Sequence, residues 1–255
     1  MWLRLRQIAL VAERLAPAEQ DLTEVLGIRV CHRDPGVASF GLENILMPVG
    51  NELLEVVAPV RDDTAAGRYL MRRGGDGGYM VITQCDEHAP RRKRVQDLGV
   101  RVVNQFETRG FRNMQLHPKD TGGSFFEIDE QLGADAHRPD GPWDPAGPDW
   151  QSARRLDRVT GITAAEIQCE DPEHVARRWS EIAQIPVSRE HEHWQIALDN
   201  ATLRFVPCAD GRPEGLGGID VATADRDAIL EAAQERTAVS APDQVRLCGL
   251  RINLR

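Results

Sequence analysis

The chain has 255 residues, a hydrophobic fraction of 41% and a formal net charge of −9 at pH 7. That length allows one large or two ordinary domains, and the apolar share builds a real core, which excludes a disordered chain. The acidic balance, with a pI of about 5.3, argues against general nucleic-acid binding and against a basic membrane-surface protein.

The first run, MWLRLRQIALVAERLAP, carries Arg4, Arg6 and Glu13 among apolar residues. It makes a poor signal peptide and a poor membrane span, and its alternation predicts a strand. PAEQDLTEVLG predicts a short amphipathic helix closed by Gly27. IRVCH, ASFGLENILMPVG and NELLEVVAP follow as three extended runs broken by Pro and Gly. After a loop, DDTAAGRYLMRRGGDG, the order recurs. GYMVITQC reads as a strand, APRRKRVQDLG as a helix, and RVVNQFE, FRNMQLHP and SFFEIDE as strands. Both units are β-α-β-β-β, and each has a Glu near the middle of its last strand, Glu55 and Glu127.

Residues 131–160 are rich in Pro, Gly and Asp and read as a linker, with Trp143 and Trp150 implying that it packs on something. A third unit has the strand ITAAEIQCE, the helix DPEHVARRWSEIAQ with Asp171 as N-cap, and the strands WQIAL and TLRFVP. GLGGIDVATAD, RDAILEAAQER and VRLCGLRINL make a shortened fourth. The five cysteines are scattered without a CxxC pair, so neither a disulfide framework nor a zinc knuckle is expected, and a reducing cytoplasm fits.

LHPKDTGGSFFEIDE, at 116–130, reads as a hairpin turning at TGG. In its second strand Phe125, Glu127 and Asp129 share one face. A carboxylate beside an apolar neighbour on a buried face needs a metal, a cation or a proton as partner.

The repeated unit, with HPKDTGG leading into the Glu127 strand, resembles the vicinal-oxygen-chelate superfamily. Within it, residues 4–130 resemble the methylmalonyl-CoA epimerases most. The resemblance implies an α+β fold of four βαβββ-type modules in two pairs, each pair forming a curled mixed sheet around a cavity. Residues 1–130 would be the first pair with the active-site cavity, 131–160 a Pro/Gly-rich linker, and 161–255 a second pair without recognisable ligands.

Carried over position by position, the resemblance sets Gln7, Glu55, Tyr79 and Glu127 at the four metal-ligand positions and Glu43 at that of the acid/base. Gln7 and Tyr79 stand where the family has His. Gln7, Glu55 and Glu127 would be an all-oxygen set for one divalent ion, better suited to Mg or Mn than to Zn, with Co and Ni also in range. Tyr79 would add a weak ligand or a hydrogen-bond donor. Without a metal, Glu55 and Glu127 would share a proton and, with Tyr79 and Gln7, donate to a ligand carbonyl.

The expected function is a divergent isomerase, epimerase or lyase. It would act on a small carbonyl, thioester or acyl-CoA-like substrate, with Glu43, Glu127 and Tyr79 as catalytic groups. The alternative is a metal-free protein of the same fold that sequesters a small molecule in an apolar cavity. A small-molecule partner is expected, with a homodimer open and no nucleic acid or membrane.

Other groups read more simply. His117, Lys119 and Asp120 belong to the turn before the Glu127 strand. His191 and His193 share a strand face and lack a third metal ligand, and Ala164 and Gly218 stand at the other His positions. RRKR at 91–94 is a charged helix face, with a coenzyme A phosphate as a further partner to consider there and at Arg68 and Arg72.

Overall fold

The computed structural model describes residues 1–190 and 192–255. The first half runs β1 (Leu3–Val11), α1 (Leu15–Leu26), β2 (Leu42–Val49), β3 (Glu52–Pro59), α2 (Ala65–Arg73), β4 (Gly77–Cys85), α3 (His88–Asp97), β5 (Val102–Glu107), β6 (Phe111–Leu116), α4 (Pro118–Thr121) and β7 (Phe125–Gln131). The second runs β8 (Val159–Cys169), α5 (Pro172–Ala183), β9 (Val187–Glu190), β10 (His193–Ala197), β11 (Thr202–Pro207), β12 (Gly215–Thr223), α6 (Arg226–Glu235), β13 (Val239–Ala241), β14 (Gln244–Leu247) and β15 (Leu250–Leu254).

These strands form two mixed sheets. One has seven strands in the order β2-β3-β1-β4-β7-β6-β5, and the other eight in the order β13-β14-β15-β12-β8-β11-β10-β9. The pairs β4–β7, β8–β11 and β12–β15 are parallel, while β2–β3, β5–β6, β6–β7 and β10–β11 are antiparallel. The architecture is therefore α+β, with two pairs of modules in two open sheets.

Local signals explain most elements. α1 buries Leu15, Ala18, Leu22, Val25 and Leu26, a three-to-four spacing, and Gly27 closes it at φ 71° with its N–H on Thr23 O. In α5 the Asp171 carboxylate accepts from His174 N, as an N-cap should.

Three expectations are corrected. IRVCH forms no strand: it contributes one bridge, His32 to Leu46, before Asp34 caps a 3-10 turn at Pro35–Phe40. The DDTAAGRYLMRRGGDG loop holds helix α2, because Thr64 caps it by accepting from Gly67 N and Gly74 ends it in the left-handed region at φ 76°. HPKDT is not extended but is the one-turn helix α4, where the His117 side chain accepts from Lys119 N.

By compactness the chain divides into two units. The first comprises Met1–Gln7, Tyr79–Asp144 and Ala164–Leu216, and the second Ile8–Gly78, Pro145–Thr163 and Gly217–Arg255. In the first unit α3 packs on α5, and in the second α1 packs on α6. Trp179 of α5 anchors the first unit. It stacks on Phe126 at 4.2 Å between ring centroids and meets Phe205 edge-on at 5.6 Å. Trp143 and Trp150 are both buried, so the Pro/Gly-rich segment is packed in place.

Candidate functional site

The β4–β7 register sets Met80 beside Phe125, Ile82 beside Glu127 and Gln84 beside Asp129. On the other side of β7, Gln115 stands opposite Glu127 and Phe111 opposite Gln131. On β5, Asn104 pairs with Gln115 and Phe106 with Asn113. Paired residues point to one side of a sheet, so these side chains form a single face. The opposite face belongs to the helices: Phe126 lies on Trp179, and Glu130 accepts from His88 N of α3.

This face is graded in depth. Met80, Asn104, Gln115 and Phe125 are half-buried and Phe106 is exposed, whereas Asn113, Asp129 and Gln131 are buried. Glu127 sits at the boundary, 9% exposed.

Below it, Asp129 Oδ1 accepts from Asn113 Nδ2 at 3.1 Å and from Met114 N at 3.2 Å. Asp129 Oδ2 receives no donor from the described residues. Burial, then the neighbouring Glu127 carboxylate, push the Asp129 carboxyl well above the ordinary range. A proton on Oδ2 accounts for the missing donor, since the oxygen then donates toward Glu127.

The other candidates are placed as follows. Gln7 is buried, and its Oε1 accepts from Trp143 Nε1 at 2.9 Å. Tyr79 is buried, with its ring edge-on to Phe125 at 5.1 Å. Alternation along β4 sets Tyr79 off the Met80–Glu127 row, and its ring reaches Phe125 of that row.

In the second unit, Glu55 Oε1 accepts from Asn44 Nδ2 at 2.7 Å. Glu43 is exposed and pairs with Ala58, whereas Glu55 pairs with Leu46. The β2–β3 register therefore puts Glu43 and Glu55 on opposite faces of that ribbon.

A cavity of about 420 Å³ in the second unit is lined by Glu13, Pro59, Gly67, Leu70, Met71, Gly74 and Gly75 and contains none of these candidates.

Much of RRKR is structural. Arg91 donates to Ala183 O and Trp2 O, and Arg94 to Glu181 O. Arg68 donates to Asp63 O, and Arg72 lies over the Tyr69 ring. His117 caps α4, and Asp120 takes a bidentate pair from Arg101. His191 lies outside the described residues. All five cysteines are free, and burial pushes Cys31 up to about 11 and Cys85 up to about 12, so neither is a thiolate at neutral pH.

The donor chemistry does not fit a resident metal. Beside Glu127 stand a thioether, an aliphatic chain and an amide, and the next carboxyl, Asp129, is fully buried with one oxygen already taken by Asn113 Nδ2 and Met114 N. Among the described residues no group of three or more His, Cys, Asp or Glu gathers. No described helix is long and apolar enough to cross a membrane.

A crystal structure of a hypothetical protein from Staphylococcus aureus matches 99% of this chain and 99% of its own, with a TM-score of 0.69 at 11% identity. At that identity the likeness shows a shared fold alone. Shorter matches are to methylmalonyl-CoA epimerases. The enzyme of Streptomyces coelicolor, in complex with 2-nitronate-propionyl-CoA, matches 52% of this chain and 100% of its own at 20% identity and a TM-score of 0.47. That of Mycobacterium tuberculosis matches 51% and 88% at 22% identity and 0.45. At such scores these two likenesses establish nothing about the site. No protein-family profile and no curated protein matches the chain.

Sequence reasoning set Asp129 on the Glu127 face and gave it no role. It passed over Gln115 and Met80. The signal for Gln115 was available in the polar residue that interrupts FRNMQL.

Proposed function

We propose that the chain is a vicinal-oxygen-chelate-type enzyme of the isomerase or epimerase class, moving a proton on the carbon beside a carbonyl or thioester of a small substrate. The observation that carries this reading is the Glu127–Asp129 pair, two adjacent buried carboxyls at the floor of a half-exposed face, with Asp129 pushed well above the ordinary carboxyl range by burial and then by Glu127. Two adjacent carboxyls cannot both ionise cheaply, so the pair resists losing its last proton and presents a proton acceptor and a donor together.

In the proposed step the α C–H bond breaks, its proton passes to a Glu127 oxygen, and the electron pair moves into the enolate. Return of a proton to the same carbon restores the carbonyl, and the carboxyl pair ends with the protons it began with. No metal is required. Glu43 has no part in this proposal, because it stands on the far face of its ribbon from Glu55.

That placement of Glu43 also favours a second reading, a metal-free binding protein of the same fold, since it leaves one carboxyl pair as the only acid/base machinery proposed. The two readings separate in D2O. With α-substituted thioesters and ketones, the enzyme washes deuterium into the α-position, and Glu127→Gln slows this by about 100-fold or more. Saturable binding without exchange would establish the sequestering reading instead.

A further inference from the structure

His88 is the first residue of α3, and it is 3% exposed. Its backbone N–H donates to Glu130 Oε2 of β7 at 3.1 Å. The same oxygen accepts from Arg112 Nη1 of β6 at 2.7 Å, and Arg112 Nε donates to Glu107 Oε1 of β5 at 2.9 Å. Arg92 stands one turn further along α3 and is exposed. The Cys85 thiol at the end of β4 feels the same Glu130 and, pushed up to about 12 mainly by burial, stays neutral.

The imidazole Nε2 is buried and has no hydrogen-bond partner among the described residues. A neutral ring can leave an acceptor nitrogen bare at modest cost. An imidazolium carries an N–H on both nitrogens and brings a charge as well, so the same burial costs it far more. The surroundings do not repay that cost. The first turn of a helix presents unpaired N–H groups and the positive end of the dipole. The two carboxylates within reach are already engaged by Arg112. Burial pushes His88 below its ordinary value of 6.5; Glu130 opposes this in part, and Arg92 and Arg112 reinforce it.

We propose that His88 is an acid-released latch: its neutral ring holds the N-terminal end of α3 on β7, and protonation frees that end while the rest of the fold stays in place. Arg91 and Arg94 donate to Ala183 O and Glu181 O, which keeps the remainder of α3 on α5 and confines the release to the residues before Arg91. The sign follows from linkage. A group depressed in the folded state contributes its stability above the unfolded value and loses it as pH falls toward the folded one. The latch is therefore closed at neutral pH and loosens below about pH 6.5, with an opening equilibrium that rises by up to about tenfold per pH unit.

The test is NMR of the full chain from pH 7 to pH 5, reading the His88 ring and the exchange protection of single amides. The N–H of His88 bonds to Glu130, and those of Arg92 and Lys93 bond back to the first residues of the helix. Protection at these three should fall with pH, while Val95 and Gln96, one turn on, keep theirs. The ring should titrate below the same histidine in the urea-unfolded chain. His88→Gln should abolish the pH dependence of the loss, and Arg92→Gln should move both the ring midpoint and the loss to higher pH.

A ring midpoint at or above that of the unfolded chain would overturn the latch. So would protection that does not change with pH, or the same loss in His88→Gln. Loss at Val95, Gln96 and the β1 amides in step with His88 would mean general acid unfolding and would overturn it equally. Should His88→Gln not fold, the unsubstituted chain and Arg92→Gln carry the test, because Arg92 is exposed.

Discussion

Replacing Asp129 by Asn tests the shared proton directly. The carboxyl is fully buried, and its folded form keeps a proton that the unfolded chain releases above the ordinary Asp range. A group raised in the folded state contributes its full stability below the unfolded value and loses it as pH climbs toward the folded one. Where the native state holds one extra proton, stability falls by about 1.4 kcal/mol per pH unit.

An Asn side chain keeps the shape and offers an oxygen to Met114 N and Asn113 Nδ2, so Asp129→Asn should fold. It has no proton to lose, so the loss with pH vanishes. The assay is urea unfolding of both proteins at pH 5, 6 and 7. The gap between them should shift toward the variant as pH rises, by up to about 1.4 kcal/mol per unit. A gap that stays constant over that range would refute the protonated carboxyl, and with it the proton pair on which the proposed chemistry stands.

Other perturbations bear on the scaffold and on the metal. Trp179→Ala removes the stack on Phe126 and the edge contact with Phe205, and should lower unfolding stability by about 3–5 kcal/mol in urea titrations. Arg4→Met strips the donor from Gln84 and from carbonyls at 136–138, and should cost about 2–4 kcal/mol by the same measurement. Gly50→Ala sets a Cβ 2.1 Å from Thr160 O at a φ of +67°, and should lower the melting temperature in a calorimetric scan. Protein purified without chelator should carry well under one equivalent of divalent metal by elemental analysis, and EDTA should leave its melting temperature unchanged.

The fold was legible where one signal dominated a segment. The alternation of LRLRQIALV, the three-to-four spacing of α1 and the capping Asp171 each speak for a single structure, and each forms it. Segments with competing signals were misread. DDTAAGRYLMRRGGDG has four glycines and no long apolar pattern, so it reads as a loop, yet Thr64 at its start and Gly74 at its end are helix signals that bracket α2. HPKDT invites a turn, and the imidazole of His117 converts it into a capped helical turn. In the site the difficulty is parity. Chemistry-bearing residues are visible in a sequence, but which face they serve depends on a register that one residue inverts. Glu127 and Asp129 are two apart in one strand, so their shared face could be read directly. Glu43 and Glu55 lie in different strands, and only the pairing of Leu46 with Glu55 sets them apart.

The same parity decides the position that carries Tyr79. If Tyr79 occupied the place of the missing imidazole, a His there would complete a metal set with Glu127. The β4–β7 register assigns that place to Met80, whose side chain lies on the Glu127 face and already touches Gln115. Met80→His would bring an imidazole nitrogen to the side of a carboxylate and an amide oxygen, three donors of the kinds that hold a first-row divalent ion. Tyr79→His would set its imidazole off that row, beside Phe125 rather than Glu127. Titration with Co(II), followed by visible absorption, should therefore show saturable uptake by Met80→His at micromolar metal and none by Tyr79→His. Glu127→Gln in the Met80→His background should abolish it. Uptake by Tyr79→His equal to that of Met80→His would mean that the two residues reach the same side, and the face built from Met80, Gln115 and Glu127 would have to be redrawn.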